Sequence, residues 1–363
     1  MNYDVVIIGA GTAGLMLSRE LGKEKINTLV LDRKKDLLNF TFNTLGSFIN
    51  LEEFDLTENV VAQEINSAIL YSKNFKRKLT GSAYVLDKKK LHEEMLASLD
   101  MNYVTIQKEV AITSVEQDEH SNITSVIDKK GNSYKGKIIV DASGTAGVIS
   151  KKVGLQEKKV KLATGVEYNV KYLGDPKEVH LFVGKEYKGG YGWVFPLQNQ
   201  RAIFGFGTFD EEVVKDLKKR LNDILESPTI KKMVVKDNEL VEGGSIPLTP
   251  VLDKFVLNNL VCVGDSVSQV NPIAGEGYKF IFESAIMASK AIVNAIHQDD
   301  LTPLSQYETD WKKRFLKSYK RAKFSQEKIF KYSKKDYLMD FAMLLLKLRS
   351  NKSIIKSLSG EFA

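Results

Sequence analysis

Residues 4–15 read Asp4-Val-Val-Ile-Ile-Gly-Ala-Gly-Thr-Ala-Gly-Leu15, and residues 27–32 read Asn-Thr-Leu-Val-Leu-Asp. The apolar, β-branched run before the first glycine predicts a strand buried on both faces. A helical stretch follows the glycines, and a second buried strand ends at an acid. This order of strand, Gly-x-Gly-x-x-Gly turn, helix, strand and acid predicts a dinucleotide-binding βαβ unit.

Each part of this unit has a physical role. Gly9 allows the tight turn, Gly11 lets the backbone approach a diphosphate, and Gly14 lets the helix pack closely on the strand. The positive end of the helix faces the phosphates. Asp32 follows Gly9 by 23 residues, where a carboxylate can accept hydrogen bonds from ribose hydroxyls. The other residues predicted to contact this half of the cofactor are Thr12, Ala13, Arg33 and Val110.

The composition indicates a globular protein with more than one domain. The chain has 363 residues, of which 43% are hydrophobic and 27% are charged. No run of about 18 apolar residues predicts a membrane-spanning helix, and a strand beginning by residue 5 leaves no room for a signal peptide. The single cysteine, Cys262, and four scattered histidines predict no disulfide and no metal site. We therefore expect a cytoplasmic protein.

The positive charge is concentrated near the C-terminus. The chain carries a net charge of +7, yet residues 312–356 hold 15 Lys and Arg against 3 acidic residues. The remainder of the chain is therefore slightly acidic. An acidic redox protein, an anionic membrane surface and a solvated helix face all fit this basic segment. Nucleic-acid binding is not favoured, because no recognition fold accompanies the charge.

The chain between residues 33 and 134 mixes helical and strand signals. Residues 33–56, with Phe40, Phe42 and Phe48, predict either a loop over a cofactor or core lining. Thr57 predicts the cap of a helix running to about Tyr71. A strand is predicted at 82–86, and Asp87 predicts the cap of an amphipathic helix. Alternating segments over 102–134 predict a strand–hairpin layer.

The second half predicts an inserted sheet and a return to the first domain. Residues 137–140 predict a third parallel strand, which ends in Asp141-Ala-Ser-Gly144. Residues 160–246 predict a separate antiparallel sheet interrupted by a helix at about 211–225. A buried strand at 260–265 and a long helix at 276–296 follow. The predicted domains are 1–159 with 247–297 for the cofactor, 160–246 for the substrate, and 298–363 as a basic helical region.

A second motif follows the last buried strand. Gly264-Asp265 comes at the carboxyl edge of the sheet, where the acid can accept hydrogen bonds from a ribityl chain or a ribose. The turn Asn271-Pro-Ile-Ala-Gly-Glu-Gly277 then begins the long helix. Its glycines allow close backbone approach, and the helix N-terminus can stabilise negative charge on a reduced flavin. The residues predicted to contact the cofactor here are Gly264, Asp265, Pro272, Gly275, Glu276 and Gly277.

These motifs, in this order, resemble FAD-dependent oxidoreductases of the para-hydroxybenzoate hydroxylase type. Within that group the chain is most similar to the geranylgeranyl reductase family. Val270-Asn-Pro-Ile-Ala-Gly-Glu-Gly-Tyr278 resembles that family's NP-x-x-GEG stretch, and Gly190-Tyr-Gly-Trp-Val-Phe-Pro196 resembles its YxWxFP motif. Tyr84-Val-Leu-Asp-Lys-Lys-Lys-Leu91 resembles its VxDR helix start. The resemblance covers residues 1–297.

The resemblance implies an α/β fold: a Rossmann-like FAD-binding domain, an inserted antiparallel-sheet substrate domain and a helical C-terminal region. It implies FAD as cofactor and hydride transfer from the reduced flavin to carbon–carbon double bonds of a polyprenyl lipid. Gly9, Gly11, Gly14 and Asp32 would hold the ADP half, with Lys88, Asp141 and Gly144 also at the flavin. Tyr191, Trp193, Phe195 and Pro196 would line the pocket.

The chain departs from the family pattern at two positions. Lys88 stands where the family usually has arginine, so the planar fork of a guanidinium is missing. Some members carry a cysteine in the segment corresponding to residues 43–47, which here reads Asn-Thr-Leu-Gly-Ser. Another group must then donate the proton, and Tyr191 and an ordered water are the candidates.

The aromatic motif also has an interpretation that needs no resemblance. Tyr191, Trp193 and Phe195 alternate with other residues, so a strand would place them on one face. That face could pack into a core or form the apolar wall of a prenyl-binding pocket. No second Gly-x-Gly-x-x-Gly is present, because Gly205-Phe-Gly207 lacks the third glycine. Electrons would therefore come from transiently bound NAD(P)H or from a ferredoxin-like protein.

The sequence thus predicts an FAD-dependent reductase of a geranylgeranyl-type lipid or its precursor, with peripheral contact to the inner face of a membrane as one option. Three alternatives remain on the same scaffold. They are a flavin-dependent aromatic hydroxylase or halogenase, a carotenoid (lycopene-type) cyclase, and a flavin-bound membrane-associated protein without turnover.

Overall fold

The computed structural model describes residues 3–157, 160–238, 240–248 and 250–361. In chain order, the strands are β1 (Tyr3–Ile8), β2 (Thr28–Leu31), β3 (Thr44–Ser47), β4 (Val61–Tyr71), β5 (Lys76–Asp87), β6 (Val104–Gln107), β7 (Ile112–Gln117), β8 (Ile123–Asp128), β9 (Ser133–Tyr134), β10 (Gly136–Asp141), β11 (Leu162–Tyr172), β12 (Glu178–Phe182), β13 (Tyr191–Leu197), β14 (Arg201–Thr208), β15 (Val234–Val235), β16 (Glu242–Pro247), β17 (Val256–Leu257) and β18 (Leu260–Cys262).

The helices are also numbered in chain order. They are α1 (Thr12–Lys23), α2 (Lys88–Ala97), α3 (Glu211–Val214), α4 (Leu217–Leu225), α5 (Pro228–Lys231), α6 (Tyr278–Gln298), α7 (Ser305–Trp311), α8 (Lys317–Tyr332), α9 (Asp336–Leu346) and α10 (Asn351–Leu358). A π-helical turn, Lys312–Leu316, joins α7 to α8. The predicted helix at 211–225 is thus divided into α3 and α4.

The predicted parallel sheet is present, in the order β17–β18–β10–β1–β2–β6. Its pairs are parallel except for the edge pair of β17 with β18. Val5, Val6 and Ile7 of β1 are fully buried, as are Ile138 to Val140 of β10. Because both faces are covered, these strands consist of continuous apolar runs instead of alternating ones. The carboxyl ends of β1, β10 and β18 lie side by side, which brings their glycine and aspartate motifs together.

The second sheet is larger and mixed. Its strand order is β15–β11–β14–β13–β12–β4–β5–β3, with β16 also paired to β11. Most neighbours are antiparallel, but β12 runs parallel to β4. The sheet predicted for residues 160–246 therefore also takes residues 44–87 from the predicted cofactor-binding unit. A small sheet, β7–β8–β9, corresponds to the predicted hairpin layer.

The predicted helix from Thr57 to Tyr71 is wrong. Thr57 does cap a helical turn, since its hydroxyl accepts from the Asn59 amide, but this 3₁₀ turn covers only Glu58–Val60. The chain then forms β4, which pairs with β5 and β12. Pairing on two sides satisfies the hydrogen-bonding groups of the backbone. Ile65 and Ser67, at alternate positions of the strand, are buried. Tertiary pairing thus outweighs local helix propensity here.

The predicted start of α2 is confirmed. The Asp87 carboxylate accepts a hydrogen bond from the Lys90 amide at 3.0 Å, which satisfies one free donor of the first turn. The buried face of α2 carries Leu91, His92 and Met95. The helix therefore places Lys88 and His92 close to the glycine turn after β1.

Candidate functional site

The glycine turn after β1 is built by backbone contacts that exclude larger residues. Gly9 has φ +109°, and a Cβ there would lie 2.4 Å from the carbonyl oxygen of Ala142. A Cβ on Gly14 would lie 1.9 Å from the Gly9 oxygen, so only glycine lets α1 pack this closely. At Gly11 the situation is reversed: the residue is exposed, and a Cβ would meet nothing within 4 Å. Gly11 therefore presents open backbone to a ligand.

The N-terminus of α1 is available to a phosphate. Among the described residues, no side chain caps this helix end, and its first turn holds no acid. Thr12 Oγ1 lies 3.0 Å from Nε2 of His92. Burial, with Lys88 and Lys34 nearby, lowers the pKa of His92 to about 3, so the imidazole is neutral. Ala13 contacts the second motif, since its Cβ would lie 3.1 Å from a Cβ on Gly264.

Asp32 holds the glycine turn as well as facing the predicted ribose position. One carboxylate oxygen accepts from the Ala10 amide at 2.7 Å and the other from the Lys34 amide at 2.8 Å. Each oxygen keeps a further lone pair for a hydroxyl. The Val110 amide donates to the Asp32 carbonyl at 2.9 Å, which places Val110 beside this acid, whereas Arg33 is exposed.

Asp141, predicted to contact the cofactor, organises the loop that follows β10. Its carboxylate is fully buried and accepts from the Ser143 amide and hydroxyl and from the Ile149 and Ser150 amides, at 2.6–3.1 Å. These four donors belong to the loop after β10, so the carboxylate organises that loop. Gly144, in the same loop, has φ +67° and open space around it.

The central cavity has a volume of about 680 Å³ and lies between the two sheets. Its polar end is formed by Thr12, Asp265, Glu276 and Tyr278, with Pro272, Gly275 and Gly277. Its apolar end is formed by side chains of β4, β5, β12, α9 and α10, among them Ile65, Leu79, Leu181, Met339, Met343 and Leu358. The cavity therefore joins the two glycine motifs to an apolar space.

Two acids at the polar end are held apart from solvent. Burial raises the pKa of Asp265 to about 6, although the Lys88 ammonium opposes the shift. Glu276 Oε1 accepts from the Ser47 hydroxyl at 2.9 Å and from the Tyr278 amide at 3.0 Å, so it caps α6. Burial raises the pKa of Glu276 also. These contacts fix the start of α6 beside Gly275 and Gly277.

Lys88 lies mainly against aromatic rings. Its ammonium is 3.8 Å from the ring centroid of Phe42 and 4.8 Å from that of Phe40. Burial and the charge of Lys34 lower the pKa of Lys88 to about 8, while Asp265 and Glu167 favour its charged form. The stretch from 33 to 56 is thus partly cavity lining, since Phe42, Leu45 and Phe48 border the central cavity.

The aromatic motif of β13 forms one wall of the cavity. Tyr191, Trp193 and Phe195 line it, as period-two alternation predicts. Pro196 differs from the prediction: it is buried at the next position of the strand and turns to the opposite face. The Tyr191 hydroxyl donates to the Ala274 carbonyl at 2.5 Å, which links the wall to the Gly275 turn.

Glycines on the neighbouring strands make room for the Trp193 indole. A Cβ on Gly205 would lie 2.2 Å from the indole, and Cβ atoms on Gly165 and Gly207 would lie 3.0 and 3.2 Å from it. The glycines of Gly205-Phe-Gly207 therefore leave the space that the Trp193 ring occupies.

Sequence reasoning missed several cavity residues. Glu167 of β11 lines the cavity, and its Oε2 accepts from the Trp193 indole at 3.1 Å. The side chains of β4 and β5 were missed because β4 was predicted as a helix. The inner faces of α9 and α10 were missed because their sequence shows charge and apolar residues without revealing which face is covered. Strand alternation from Ala163 and Gly165 was the one available signal for Glu167.

The cavity has the properties that a dinucleotide and an apolar substrate require. Three buried oxygens on its walls have no hydrogen-bond partner among the described residues: Thr44 Oγ1, Glu167 Oε1 and Glu276 Oε2. Buried polar atoms are usually paired, so these oxygens indicate a ligand. The open backbone at Gly11 and the uncapped α1 fit a diphosphate. The residues present therefore fit the predicted cofactor.

The comparisons with known proteins agree with this geometry. The family model described as lycopene cyclase protein matches residues 4–349. Digeranylgeranylglycerophospholipid reductase 3 of Methanosphaera stadtmanae is 26% identical over 377 residues, which cover 97% of this chain and 94% of that protein. That name confirms the resemblance to geranylgeranyl reductases drawn from the motifs.

Two solved structures share the fold. A geranylgeranyl bacteriochlorophyll reductase-like protein from Thermoplasma acidophilum superposes with a TM-score of 0.87 at 20% identity, covering 99% of this chain and 96% of that one. A flavin-dependent brominase superposes with a TM-score of 0.78 at 17% identity, covering 99% and 94%. The predicted α/β fold class is therefore confirmed.

Proposed function

Because the chain belongs to the lycopene cyclase protein family, whose model spans residues 4–349, we propose that it is an FAD-dependent reductase of geranylgeranyl-type lipids. The observation that supports this proposal most strongly is the central cavity, which joins a dinucleotide-type glycine turn to an apolar space. The reductase names of relatives such as the Methanosphaera protein support this substrate class. The reaction saturates carbon–carbon double bonds of the prenyl chains.

The polar end of the cavity would hold the cofactor. Gly9, Gly11 and Gly14, with the N-terminus of α1, would bind the diphosphate, and Asp32 the ribose. Asp265 and the backbone of Gly275 to Gly277 would contact the ribityl chain and the ring system. When bound and reduced, a flavin supplies two electrons to an acceptor. Lys88 would add a positive charge beside Asp265.

The apolar end would bind and orient the prenyl chain. The Trp193 indole, fixed by three glycines and a hydrogen bond to Glu167, offers a rigid flat surface for an alkene. Met339 and Met343 cover the far side, and methionine adapts to flexible apolar ligands. A substrate with no polar group along its chain is held by burial of apolar area, and water is excluded from the double bond.

A direct test uses the reduced flavoprotein without oxygen. Purified protein is reduced with dithionite and mixed with a lipid bearing geranylgeranyl chains, and the return of oxidised-flavin absorbance is followed. We expect reoxidation with the unsaturated lipid and none with the matched phytanyl lipid, which has the same headgroup but no double bond. Flavin that stays reduced with both lipids would contradict the proposal.

A cyclase is the second candidate, and the description of the matching family model favours it. A cyclase would isomerise an apolar polyene in the same cavity without net oxidation or reduction. The mass of the product distinguishes the two functions, because a cyclase leaves the mass of its substrate unchanged. The reductase is preferred because the full-length relatives carry that name.

The electron donor and the membrane contact are proposed separately. For electrons, we propose transient NAD(P)H or a ferredoxin-like protein, because the sequence holds one dinucleotide motif. For the membrane, the described residues form no helix long and apolar enough to cross it. We propose instead that α9 lies on an anionic bilayer surface, where the lipid substrate would enter.

The two faces of α9 support this membrane proposal. Its outer face exposes a stripe of large apolar side chains at helical spacing: Tyr337 (64% exposed), Phe341 (59%), Leu344 (40%) and Leu345 (49%), continued by Leu348 (84%). Its inner face, with Met339 and Met343, lines the cavity. Lys331, Lys334, Lys335 and Lys347 flank the stripe. An apolar face bordered by lysines is typical of helices that lie in an anionic interface.

A vesicle assay tests this docking. We expect wild-type protein to float with vesicles that contain phosphatidylglycerol and the double variant Phe341→Ser/Leu345→Ser to lose most of this binding. Met101→Ser is the matched control, because Met101 is 62% exposed but lies outside the C-terminal region. Equal flotation of the double variant and the wild type would contradict the docking proposal.

A further inference from the structure

Glu167 is a buried acid in the wall of the central cavity. It lies in β11, directly opposite Gly205 of β14 and Glu242 of β16. Ala163 and Gly165, on the same face of the strand, also border the cavity. Only 7% of Glu167 is exposed. Its carboxyl group therefore reaches the space beside Trp193 without direct access to bulk water.

The two carboxyl oxygens have different surroundings. Oε2 accepts a hydrogen bond from Trp193 Nε1 at 3.1 Å. Oε1 is buried and has no partner in the part of the chain that the structure describes. Leaving a buried polar atom unpaired costs about 1–3 kcal/mol. An acid whose free oxygen borders a ligand cavity is placed for chemistry on the ligand.

Burial is the main reason that Glu167 is neutral in the resting protein. Burial raises the pKa of Glu167 to about 8, and the Glu242 carboxylate across the sheet acts in the same direction. The Trp193 hydrogen bond and the ammonium of Lys88 oppose this shift. Among the described residues, Tyr191 is a further titratable neighbour, and burial raises its pKa to about 12, so its phenol is neutral. At neutral pH, Glu167 therefore carries a proton.

We propose that Glu167 is the acid that protonates the substrate double bond, an inference that rests on the proposed reductase function. One alkene carbon takes hydrogen with an electron pair from the reduced flavin, which is oxidised. The other carbon takes the proton of Glu167, so the carboxyl O–H bond breaks and a C–H bond forms. The alkene is reduced, and the carboxylate regains its proton from water.

The indole of Trp193 stabilises the carboxylate that Glu167 becomes when it gives up its proton. Its N–H donates to the carboxylate oxygen that becomes negative, and hydrogen bonds to charged groups are stronger than those between neutral groups. The same ring borders the prenyl space, so the acid and the alkene surface are held together. Trp193 is thus a positioning residue as well as a wall of the pocket.

Other groups at the cavity are less suited to this step. The Tyr191 hydroxyl already donates its proton to the Ala274 carbonyl at 2.5 Å. Glu276 caps α6 with one oxygen, and both Glu276 and Asp265 lie at the cofactor end. Residues 43–47 contain no cysteine. Among the described residues of the second sheet, Glu167 is the acid that lines the cavity.

The test compares Glu167→Gln with the wild type in anaerobic flavin reoxidation by the prenyl lipid across pH 6 to 10. General acid catalysis contributes about 10²–10⁴-fold, so we expect at least a hundredfold slower reoxidation with flavin content unchanged. The wild-type rate falls above a midpoint of about 8, where the acid loses its proton. This alkaline fall is absent from the variant.

Glu242→Gln, on the neighbouring strand, is the second variant of this test. It removes a carboxylate that disfavours ionisation of Glu167, so the midpoint moves to lower pH while the rate at low pH is retained. A merely structural role for Glu167 predicts no such movement. Should the Glu167 variant fold poorly, this shift in an otherwise active protein still tests the proposal. A midpoint unchanged by Glu242→Gln would count against it.

Infrared spectroscopy provides a readout without turnover. The difference spectrum of the flavoprotein between pH 7 and pH 9.5 should show loss of a protonated-carboxyl band, and Glu167→Gln should remove that band. A band that remains in the variant overturns the assignment, as does a variant that reoxidises with wild-type rate and pH profile. A wild-type protein that leaves prenyl lipids unchanged contradicts the reductase proposal, whereas an active wild type with an equally active variant contradicts only the role of Glu167.

Discussion

The glycines of the first turn have different roles, some in folding and some in cofactor binding. The backbone at Gly11 has φ −81° and ψ −172°, which any residue adopts, and open space lies beyond it. We therefore expect Gly11→Val to keep the thermal stability of the cofactor-free protein but to lose FAD, because the side chain occupies the diphosphate position. Flavin absorbance per protein and the melting temperature measure the two effects. A yellow variant with full flavin content would refute the placement of the diphosphate.

Gly14→Ala is the contrasting variant in the same turn. Its Cβ would meet the Gly9 carbonyl at 1.9 Å, so α1 must move away from β1. Overpacking of this kind costs about 1–3 kcal/mol, and we expect a lower free energy of unfolding measured in urea. If Gly14→Ala is as stable as Gly11→Val, the close contact between helix and strand is not what requires glycine.

A substitution at Gly205 tests whether the position of the Trp193 indole matters for the substrate. In Gly205→Ala the new methyl group would lie 2.2 Å from the ring, so the indole must leave its position and its hydrogen bond to Glu167. We expect prenyl turnover to fall at least tenfold while flavin content stays the same. Tryptophan emission should also change. Unchanged turnover and emission would mean that the indole position does not matter for the substrate.

Residue spacing predicted some of these roles and missed others. The glycine turn and Asp32 follow from local spacing, because the contacts of Gly14 with Gly9 and of Asp32 with Ala10 lie within one βαβ unit. Glu167 and Trp193 are 26 residues apart in sequence, on strands that both pair with β14. Their contact depends on the register of β14, which local patterns do not reveal. Nothing in the Asp141 motif indicates that its own loop donates four hydrogen bonds to the carboxylate.

At the level of elements, α9 and α10 are anchored to the β4–β5 hairpin by two charged residues. Asp340 of α9 accepts from the Ser72 hydroxyl at 2.6 Å and from the Asn74 amide at 3.1 Å. Arg77 of β5 donates to the Leu346 carbonyl, and to the Arg349 carbonyl at 2.7 Å. These contacts hold the inner face of α9 over the apolar end of the cavity.

Arg77→Ala tests this anchoring. Hydrogen bonds to charged groups contribute about 1.5–3 kcal/mol, so we expect amide exchange in α9 and α10 to accelerate tenfold or more. Exchange in β1 and α1, and flavin content, should not change. Lys76→Ala is the control, because its side chain is exposed on the adjacent position. Exchange in α9 at the wild-type rate would show that packing alone holds the helix.

Elements with local signals were easier to predict than those defined by pairing. The cap of α2 at Asp87 was found because its hydrogen bond lies within one turn. The strand β4 was missed because its partners, β5 and β12, lie elsewhere in the chain. The C-terminal region was predicted as helical and basic, but its apolar residues fall on two faces. Only the fold shows that one face lines the cavity.

For the whole molecule, buried charges set how stability depends on pH. Relative to the unfolded chain, the pKa of Glu167 is raised from 4.5 to about 8, and that of Asp265 from 3.8 to about 6. The pKa of His92 is lowered from 6.5 to about 3, and that of Lys88 from 10.5 to about 8. Between pH 6.5 and 8, proton binding by Glu167 differs most between the two states. His92, still partly protonated in the unfolded chain, and Lys88, which begins to lose its proton in the folded state, act more weakly in the opposite direction.

The sign of the effect follows from proton binding. In this window the folded state holds the proton of Glu167 and the unfolded state does not, so the free energy of unfolding falls as pH rises. We expect the melting temperature to be lower at pH 8 than at pH 6.5, and Glu167→Gln to reduce the difference. A melting temperature that rises equally in both proteins over this range would mean that Glu167 is ionised in the folded state.

The mass of the lipid product tests the central claim most directly. Reduced protein and a geranylgeranyl lipid are incubated without oxygen, and the lipid is analysed by mass spectrometry. The reductase account predicts products heavier by two hydrogens for each double bond reduced, with one flavin oxidised per bond. A product of unchanged mass but altered chromatographic retention would establish a cyclase, and an unchanged lipid would contradict the proposed substrate.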